Sequence, residues 1–357
     1  MFASLTLENF KCFANETIDF KGLTVFTGAN AAGKSSVIQA LLLYSKAMQM
    51  EKTNILDVNE TLNIQVGSPR NLVSQNAEGD SAYDFLIGID QKQVRFWIDK
   101  ESGLDLHAEV EGEKSAMDFT YLNAERVGPR MYYDAGGTEQ FKPNGSNAVY
   151  LIERADNVGV ELPEQMLLPN TSKKFSHQVE AWMSAILGEV QLAVRVDNAK
   201  AQTELRIKNS LSQESVLPTQ TGFGITYVLP IVAAGLWATT KENTVFVVEN
   251  PEAHLHPSAQ SAIGKFLALL VDCGVQVIVE THSEHVVDGA RVQTTYMQKT
   301  DEMLVNYMAQ ENGRVKILNL QVDANGELTD WPEGFFDQKQ IDLKELFKMR
   351  KMHGNKQ

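Results

Sequence analysis

Short apolar runs alternate with helical patterns at both ends of the chain. Residues 23–27 form a β-branched and aromatic run that is typical of a buried strand, and residues 36–48 are an apolar stretch without Gly or Pro, which predicts a helix. Near the other end, helical and strand patterns alternate again, at residues 225–239, 244–248, 258–271 and 275–280. This alternation predicts a parallel sheet and therefore an α/β fold.

The middle of the chain has a different pattern. Residues 61 to about 124 hold short, partly alternating segments separated by turn residues, which predicts an antiparallel meander. Residues 134–172 contain several Gly, Pro and Asn and are expected to be irregular and exposed. An amphipathic helix is predicted over residues 175–190 and a strand pair at 194–197 and 204–208. An amphipathic helix is predicted over residues 337–357 and is expected to pack on the sheet. The alternative is that this helix docks a partner or nucleic acid.

Composition narrows the protein class. The 357 residues include 32 Lys+Arg and 46 Asp+Glu, a net charge of −14, which argues against unspecific coating of nucleic acid but not against a local basic groove. Cys12 and Cys273 are too few for a disulfide scaffold and are expected to be reduced thiols. No targeting segment is visible, and the apolar runs are shorter than the roughly 20 residues of a membrane span. We therefore expect a cytoplasmic protein with no membrane partner.

A phosphate-binding loop follows the first buried strand. The stretch Gly28-Ala29-Asn30-Ala31-Ala32-Gly33-Lys34-Ser35 matches G-x-x-x-x-G-K-[ST], with a strand before it and a helix after it. Small residues let backbone N–H groups surround a phosphate, and the helix N-terminus favours an anion. The expected nucleotide contacts are Gly28, Asn30, Ala31, Ala32, Gly33, Lys34, Ser35 and Ser36. Lys34 is expected on the β- and γ-phosphates of ATP, and Ser35 on Mg²⁺.

Acidic and histidine residues follow two later strands. Glu249 ends the strand at residues 244–248 and is the second predicted Mg²⁺ ligand, while Glu252 follows in the next turn. His282 follows the strand at residues 275–280 and is a candidate for contacting the γ-phosphate or the attacking water. Zinc is the less favoured alternative, because His254, His256, His282 and His285 have possible ligand spacings. A turn held by imidazole hydrogen bonds is the favoured explanation of His254 and His256.

The order and spacing of four stretches resemble the ABC-type ATPase heads of the SMC/RecF/OLD group, and OLD-like AAA ATPases most closely. The stretches are residues 7–11 with 28–36, 221–225, 248–257 and 280–283. Residues 331–337 are also similar to the tail of a bacterial OLD-like subfamily. The resemblance implies a P-loop NTPase fold of ABC type, with an inserted antiparallel β meander and a helical segment. The head is expected at residues 1–50 and 201–357, and the insertion at 51–200.

The resemblance also implies how such a head works. Gly222 and Gly224 correspond to the signature, which in this family caps the ATP bound to a second subunit, so that the nucleotide clamps a homodimer or higher oligomer. Both glycines precede a helix and suit close approach to a phosphate, although a simple tight turn is the alternative. Gln75 is a candidate link between Mg²⁺ and the insertion.

Three departures from the family pattern bear on function. Asn250 stands where the family places a carboxylate that acts as general base, so either Glu252 or His282 does this work or hydrolysis is slow. No heptads form a long coiled coil. After residue 300 too few residues remain for the Toprim domain of OLD nucleases, so a nuclease is expected to be a partner.

Two functions from different classes remain. The first is an ATPase that uses Mg-ATP to form or reshape a homodimer and controls an effector, such as a nuclease, in bacterial anti-phage defence or DNA-damage response. The alternative is a RecF-like, ATP-dependent DNA clamp, which would need a basic groove and salt-sensitive DNA binding. A transporter ATPase is disfavoured by the atypical signature and the inserted meander. Arg126 and Arg130 are candidates for a phosphate or interface contact, with a structural salt bridge as the alternative.

Overall fold

A computed structural model describes residues 1–50, 55–62, 66–75, 77, 79–110, 117–136, 139–210, 212 and 214–354, without the side chains of Asp80 and residues 351–354. The strands in these residues are β1 Ser4–Phe10, β2 Phe13–Asp19, β3 Leu23–Gly28, β4 Ile55–Leu56, β5 Asp84–Ile89, β6 Lys92–Ile98, β7 Leu106–Val110, β8 Asp118–Leu122, β9 Tyr133–Asp134, β10 Val190–Asp197, β11 Gln202–Asn209, β12 Thr244–Glu249, β13 Gln276–Glu280, β14 Met303–Glu311 and β15 Arg314–Gln321. The α-helices are α1 Lys34–Gln49, α2 Val58–Leu62, α3 Ala148–Val158, α4 Phe175–Leu187, α5 Phe223–Ala238, α6 Pro257–Asp272, α7 Glu284–Tyr296 and α8 Gln338–Gly354.

The central sheet has the strand order β15-β14-β3-β13-β12-β8 and is parallel except at β15. This arrangement confirms the α/β fold predicted from the alternating patterns. Successive residues of β12 face opposite cores, since Phe246 and Val248 pack with the α3–α7 helices and Val245 and Val247 pack with α1. Strands covered on both faces have continuous apolar sequences, which is why β3, β12 and β13 could be predicted. Their carboxyl ends meet along one edge.

A second, antiparallel sheet has the order β2-β1-β5-β6-β7-β4 and shares the α1 core with the central sheet. The predicted meander is found as β5–β7, but its extension to residue 124 is wrong, because β8 leaves it and pairs in parallel with β12. Burial of Thr120, Tyr121 and Leu122 in the central sheet accounts for this placement.

Strand pairing crosses the predicted division between head and insertion. Leu5 of β1 pairs with Ile89 of β5, and Thr244 of β12 pairs with Asp118 of β8. The predicted insertion therefore supplies strands to both sheets. Its bounds at residues 51 and 200 stay a prediction, and residues 51–54 at its start lie outside the described residues.

The predicted irregular region contains a helix. Helix α3 buries five side chains at helical spacing among α4, α5 and β9–β11, namely Ala148, Val149, Leu151, Ile152 and Ala155. The Gly and Pro residues on either side of α3 obscured this short apolar pattern. The expectation of an exposed, irregular segment over residues 134–172 is therefore wrong for α3.

The C-terminal helix forms as predicted but does not pack on the sheet as expected. Five apolar side chains of α8 are between 40% and 60% exposed, namely Ile341, Leu343, Leu346, Phe347 and Met349. At 100° per residue they spread over more than half of the helix circumference, so no single stripe is available for burial. Among the described residues, no helix is long and apolar enough to cross a bilayer.

Candidate active site

The loop between β3 and α1 has a backbone shape that only glycine allows at its two ends. Gly28 has a φ of 131°, and a Cβ there would lie 2.0 Å from the carbonyl oxygen of Met308 on β14. Gly33 has a φ of 97° and caps α1. These two positions bend the chain so that the N-terminus of a 16-residue helix points into the loop.

Lys34 lies over this loop. Its Nζ donates hydrogen bonds to the carbonyl oxygens of Gly28, at 3.1 Å, and Ala29, at 2.8 Å. Burial lowers the pKa of Lys34, and the nearby carboxylate of Glu280 partly opposes this shift. The ammonium group is thus held at the mouth of the loop, where a phosphate could replace the two carbonyl groups as its partner.

A cleft of about 730 Å³ opens in front of the loop, which is large enough for a nucleoside triphosphate. Of the predicted nucleotide contacts, those from Asn30 to Ser36 all line this cleft, as do Glu249, His282 and Gln75. Gly28 lies behind the loop, in a smaller neighbouring cleft that His282 also lines. The structure therefore brings the loop and the tips of β12 and β13 together.

Two carboxylates lie side by side at these strand tips, because Glu249 of β12 is the register partner of Glu280 of β13. An oxygen of Glu249 accepts a hydrogen bond from the Tyr121 hydroxyl at 2.9 Å. Burial raises the pKa of Glu249. Burial, followed by the negative charge of Glu249, raises the pKa of Glu280 to about 7.

Glu280 was not predicted as a site residue. Both of its carboxylate oxygens lie 3.2 Å from the Ser35 hydroxyl oxygen, so it contacts the phosphate loop directly. The available signal was an acidic residue at the end of a second buried strand, directly before Thr281 and His282. The sequence pattern indicated His282 as the functional residue of this strand end, and Glu280 precedes it by two residues.

The oxygen donors in the cleft suit a magnesium ion. Ser35, Glu249 and Glu280 offer a hydroxyl and two carboxylates, which are ligands that Mg²⁺ prefers. Among the described residues, no group of three or more His, Cys, Asp or Glu could hold a metal by itself. Mg²⁺ usually binds through one or two carboxylates together with nucleotide phosphates and water, so Ser35 and the two glutamates fit the ion expected with ATP.

Glu252 organises the turn that carries His282. Its carboxylate accepts hydrogen bonds from the Thr281 hydroxyl at 2.7 Å and from the backbone N–H of His282 at 2.8 Å. His282 lines the cleft, and burial together with the charge of Lys34 lowers its pKa, which favours the neutral imidazole. Glu252 is not among the residues that line the cleft, so His282 is the better placed of the two to reach a bound nucleotide.

Two of the other three histidines considered for zinc have different contacts. His254 packs against the ring of Tyr227, with centroids 4.5 Å apart, and against Phe223 at 5.3 Å. Nδ1 of His256 accepts a hydrogen bond from the backbone N–H of Ser258 at the start of α6. Aromatic packing and helix capping account for these two imidazoles.

Arg126 and Arg130 differ in burial and in their contacts. Arg126 is only 3% exposed and donates hydrogen bonds to the carbonyl oxygens of Asn123, Glu249 and Asn250, at 2.8, 2.6 and 2.6 Å. It therefore fastens the tip of β12, and it forms no salt bridge among the described residues, while its predicted phosphate or interface contact stays a prediction. Arg130 is exposed and does not line the cleft.

The predicted signature glycines lie outside the nucleotide cleft of their own chain. Gly222 caps α5 and has open space around it, since a Cβ at this position would meet no atom within 4 Å beyond its neighbours in the chain. Next to it, the ring of Phe223 is 53% exposed and packs on His254. The N-terminus of α5 is thus open to an external group.

Comparisons with known proteins agree with this geometry. Residues 163–287 match the family model described as AAA ATPase domain, residues 4–97 match AAA domain, and residues 299–346 match a family of unknown function, DUF3696. An ATP/GTP phosphatase of Helicobacter pylori (strain ATCC 700392 / 26695) is 25% identical over 336 residues, which cover 81% of this chain and 87% of that protein. The Old nuclease of Escherichia phage P2 is 44% identical over 43 residues, which are 12% of this chain and 7% of the nuclease.

Solved structures show the same fold. The Smc head domain from Pyrococcus furiosus, with an extended coiled coil and bound to the C-terminal domain of ScpA, has a TM-score of 0.55 at 11% identity, covering 97% of this chain and 99% of that one. An SmcHead bound to the C-winged helix domain of ScpA has a TM-score of 0.52 at 14% identity, covering 90% and 98%. The fold and the cleft are those of a P-loop ATPase. The matches to the two AAA domain models and the relative from Helicobacter pylori, together with the fold shared with the Smc heads, support an ABC-type AAA ATPase.

Proposed function

We propose that this ATPase is an OLD-like, nucleotide-controlled switch, in which Mg-ATP joins or reshapes two copies of the chain and thereby controls an effector. One observation carries the proposal: the nucleotide cleft is lined by the phosphate loop and the strand tips, while Gly222 and Gly224 of the same chain lie elsewhere on the surface. A second copy can bring its own glycines to the phosphates. ATP is then held between two heads.

The surface around Gly222 supports this role. Its neighbour Phe223 is exposed, and the rings of Phe223, Tyr227 and His254 pack together beside the N-terminus of α5. The open space at Gly222 allows a phosphate to approach the helix N-terminus, whose partial positive charge favours an anion. Exposed aromatic rings are common at protein interfaces, so the same surface supplies both nucleotide contact and apolar contact.

We expect hydrolysis to be slow compared with nucleotide binding. Asn250, whose backbone N–H is bonded to the carbonyl oxygen of Glu280, has no group that can accept a proton from water. Glu252 is engaged with the turn before α7, so of the two predicted bases His282 is the one that lines the cleft. A long-lived ATP-bound state suits a switch, because the state must persist while the effector responds.

The effector and its setting follow from the family resemblance and from the short Old nuclease match. We propose a partner such as a nuclease, acting in bacterial anti-phage defence or DNA-damage response. The net charge of −14 disfavours the DNA clamp alternative, which requires electrostatic attraction to duplex DNA.

Light scattering with and without a non-hydrolysable ATP analogue and Mg²⁺ tests the dimer. We expect the mass to rise from 39.7 kDa towards twice that value, and Gly222→Asp to prevent the rise while still binding nucleotide, because a carboxylate would repel the phosphates of the other copy. Ala199→Asp, in an exposed turn after β10, is the matched control and should dimerise normally. A mass that stays at 39.7 kDa with saturating nucleotide would contradict the proposal. Salt-sensitive binding of duplex DNA would favour the clamp.

A further inference from the structure

The carboxylate of Glu280 is held rigidly against the phosphate loop. Its residue is only 6% exposed and lies between two strands, paired with Glu249 of β12 and with Phe26 of β3. Two backbone bonds extend this anchoring beyond the strand, since the N–H of Asn250 donates to the carbonyl oxygen of Glu280 and the N–H of Thr281 donates to Phe26. The sheet therefore fixes the backbone from which the carboxylate reaches Ser35.

Glu280 contacts the hydroxyl of the phosphate loop directly. The Ser35 hydroxyl lies 3.2 Å from each oxygen of Glu280, whereas the hydrogen bond shown for the Glu249 side chain comes from Tyr121. Ser35 belongs to the first turn of α1 and is the residue of the loop that offers a hydroxyl ligand to Mg²⁺. The glutamate on the intervening strand thus controls the hydroxyl of the loop.

A serine hydroxyl has one proton and two lone pairs. When the proton is donated to Glu280, both lone pairs face away from that carboxylate and one of them can bind a cation. Residues that orient a metal ligand in this way commonly change metal affinity by about 10- to 100-fold when they are replaced.

We propose that Glu280 is a positioning residue for Mg²⁺, which accepts the proton of the Ser35 hydroxyl and so directs its lone pairs to the ion that accompanies ATP. The inference rests on the proposed binding of Mg-ATP in this cleft. Neither the motif pattern nor the family resemblance indicated this role for Glu280. Glu249 remains the neighbouring carboxylate that can bind the water shell of the ion.

A second role for Glu280 would be purely electrostatic, because its charge also acts on Lys34. The two roles predict different results. Loss of a charge that only balances Lys34 would change nucleotide affinity with and without metal alike. Loss of a group that orients Ser35 would change the metal requirement and leave metal-free nucleotide binding intact or tighter.

The experiment measures Mn²⁺ binding by electron paramagnetic resonance, in the presence of a non-hydrolysable ATP analogue, together with metal-free binding of the analogue. We compare Glu280→Ala, which removes the acceptor, with Ser35→Ala, the double variant and the wild type. Glu284→Ala is the matched control, since Glu284 is a half-exposed glutamate at the start of α7 and is absent from the cleft. Thermal unfolding of each variant checks that it is folded.

We expect Glu280→Ala and Ser35→Ala each to weaken Mn²⁺ binding by about 10- to 100-fold, with little further loss in the double variant, because the first removes the acceptor that orients the hydroxyl and the second removes the hydroxyl itself. Glu284→Ala should behave like the wild type. Unchanged Mn²⁺ affinity in Glu280→Ala, or losses that multiply in the double variant, would overturn the inference. If the wild type failed to bind the analogue at all, the proposed function itself would fail, and the two failures are therefore distinguishable.

Discussion

Replacement of Arg126 by Ala should strongly destabilise the protein, although Arg126 does not line the nucleotide cleft. The guanidinium donates to three backbone carbonyls, of which Asn123 O is fully buried and those of Glu249 and Asn250 are partly buried. A hydrogen bond from a charged group contributes about 1.5–3 kcal/mol, and a buried acceptor left without a partner costs about 1–3 kcal/mol.

Two effects make the expected loss of stability smaller than the sum of these contributions. Water can reach the two partly buried carbonyls after truncation. Burial of the guanidinium is itself unfavourable, as its pKa of about 10 indicates, and truncation removes this cost. We therefore expect a loss of about 3 kcal/mol in the free energy of unfolding. Urea denaturation at pH 7 without nucleotide measures this loss.

Arg130 provides the control for this measurement. It lies four residues away in the chain but is exposed, so Arg130→Ala should change the free energy of unfolding by no more than about 0.5 kcal/mol. A loss below about 1 kcal/mol for Arg126→Ala, or equal losses for both variants, would refute the view that Arg126 fastens the tip of β12.

Three further predictions concern the cleft. Lys34→Ala should abolish nucleotide binding, and calorimetry that shows unchanged ATP affinity would remove the site assignment. Glu252→Gln should lower ATP turnover by about 10²-fold or more, since it disturbs the turn that carries His282, and unaltered steady-state turnover would show that the Glu252 carboxylate is not needed to position a catalytic His282. The pKa of Glu280 is raised from 4.5 to about 7, so the folded state binds the proton of this carboxyl group more tightly than the unfolded state does. The protonated group therefore contributes at most about 3 kcal/mol to the free energy of unfolding. This contribution is fully present below pH 4.5 and is lost as the pH rises through 7. Glu280→Gln should make the free energy of unfolding less dependent on pH between pH 5 and 8, measured without nucleotide or metal. An unchanged pH dependence would show that Glu280 titrates normally.

The sequence was most informative where local chemistry and buried strands coincide. The loop from Gly28 to Ser35 demands small residues for steric reasons, and the continuous apolar runs of β3, β12 and β13 reflect burial on both faces. These patterns depend on near neighbours in the chain, so the parallel sheet and the position of the loop beside Glu249 and His282 could be predicted.

The remaining features depend on contacts between distant segments. Helix α3 is short and lies among turn residues, and packing against the distant elements α4, α5 and β9–β11 stabilises a helix at residues 148–158. Strand β8 has no local sign that its partner is β12, more than 120 residues later. The contact between Glu280 and Ser35 spans 245 residues and follows from the strand order, which a single sequence does not specify.

The central claim is that each ATP lies between the phosphate loop of one copy and the signature of another, and subunit complementation tests it most directly. Lys34→Ala disables the loop and Gly222→Asp disables the signature, so each variant alone should lack ATP turnover. In an equal mixture, nucleotide can join only dimers that contain both variants, and these have one intact site of two, which predicts recovery of up to about half of the wild-type turnover. A mixture as inactive as either variant alone, although light scattering shows that mixed dimers form, would contradict the shared site.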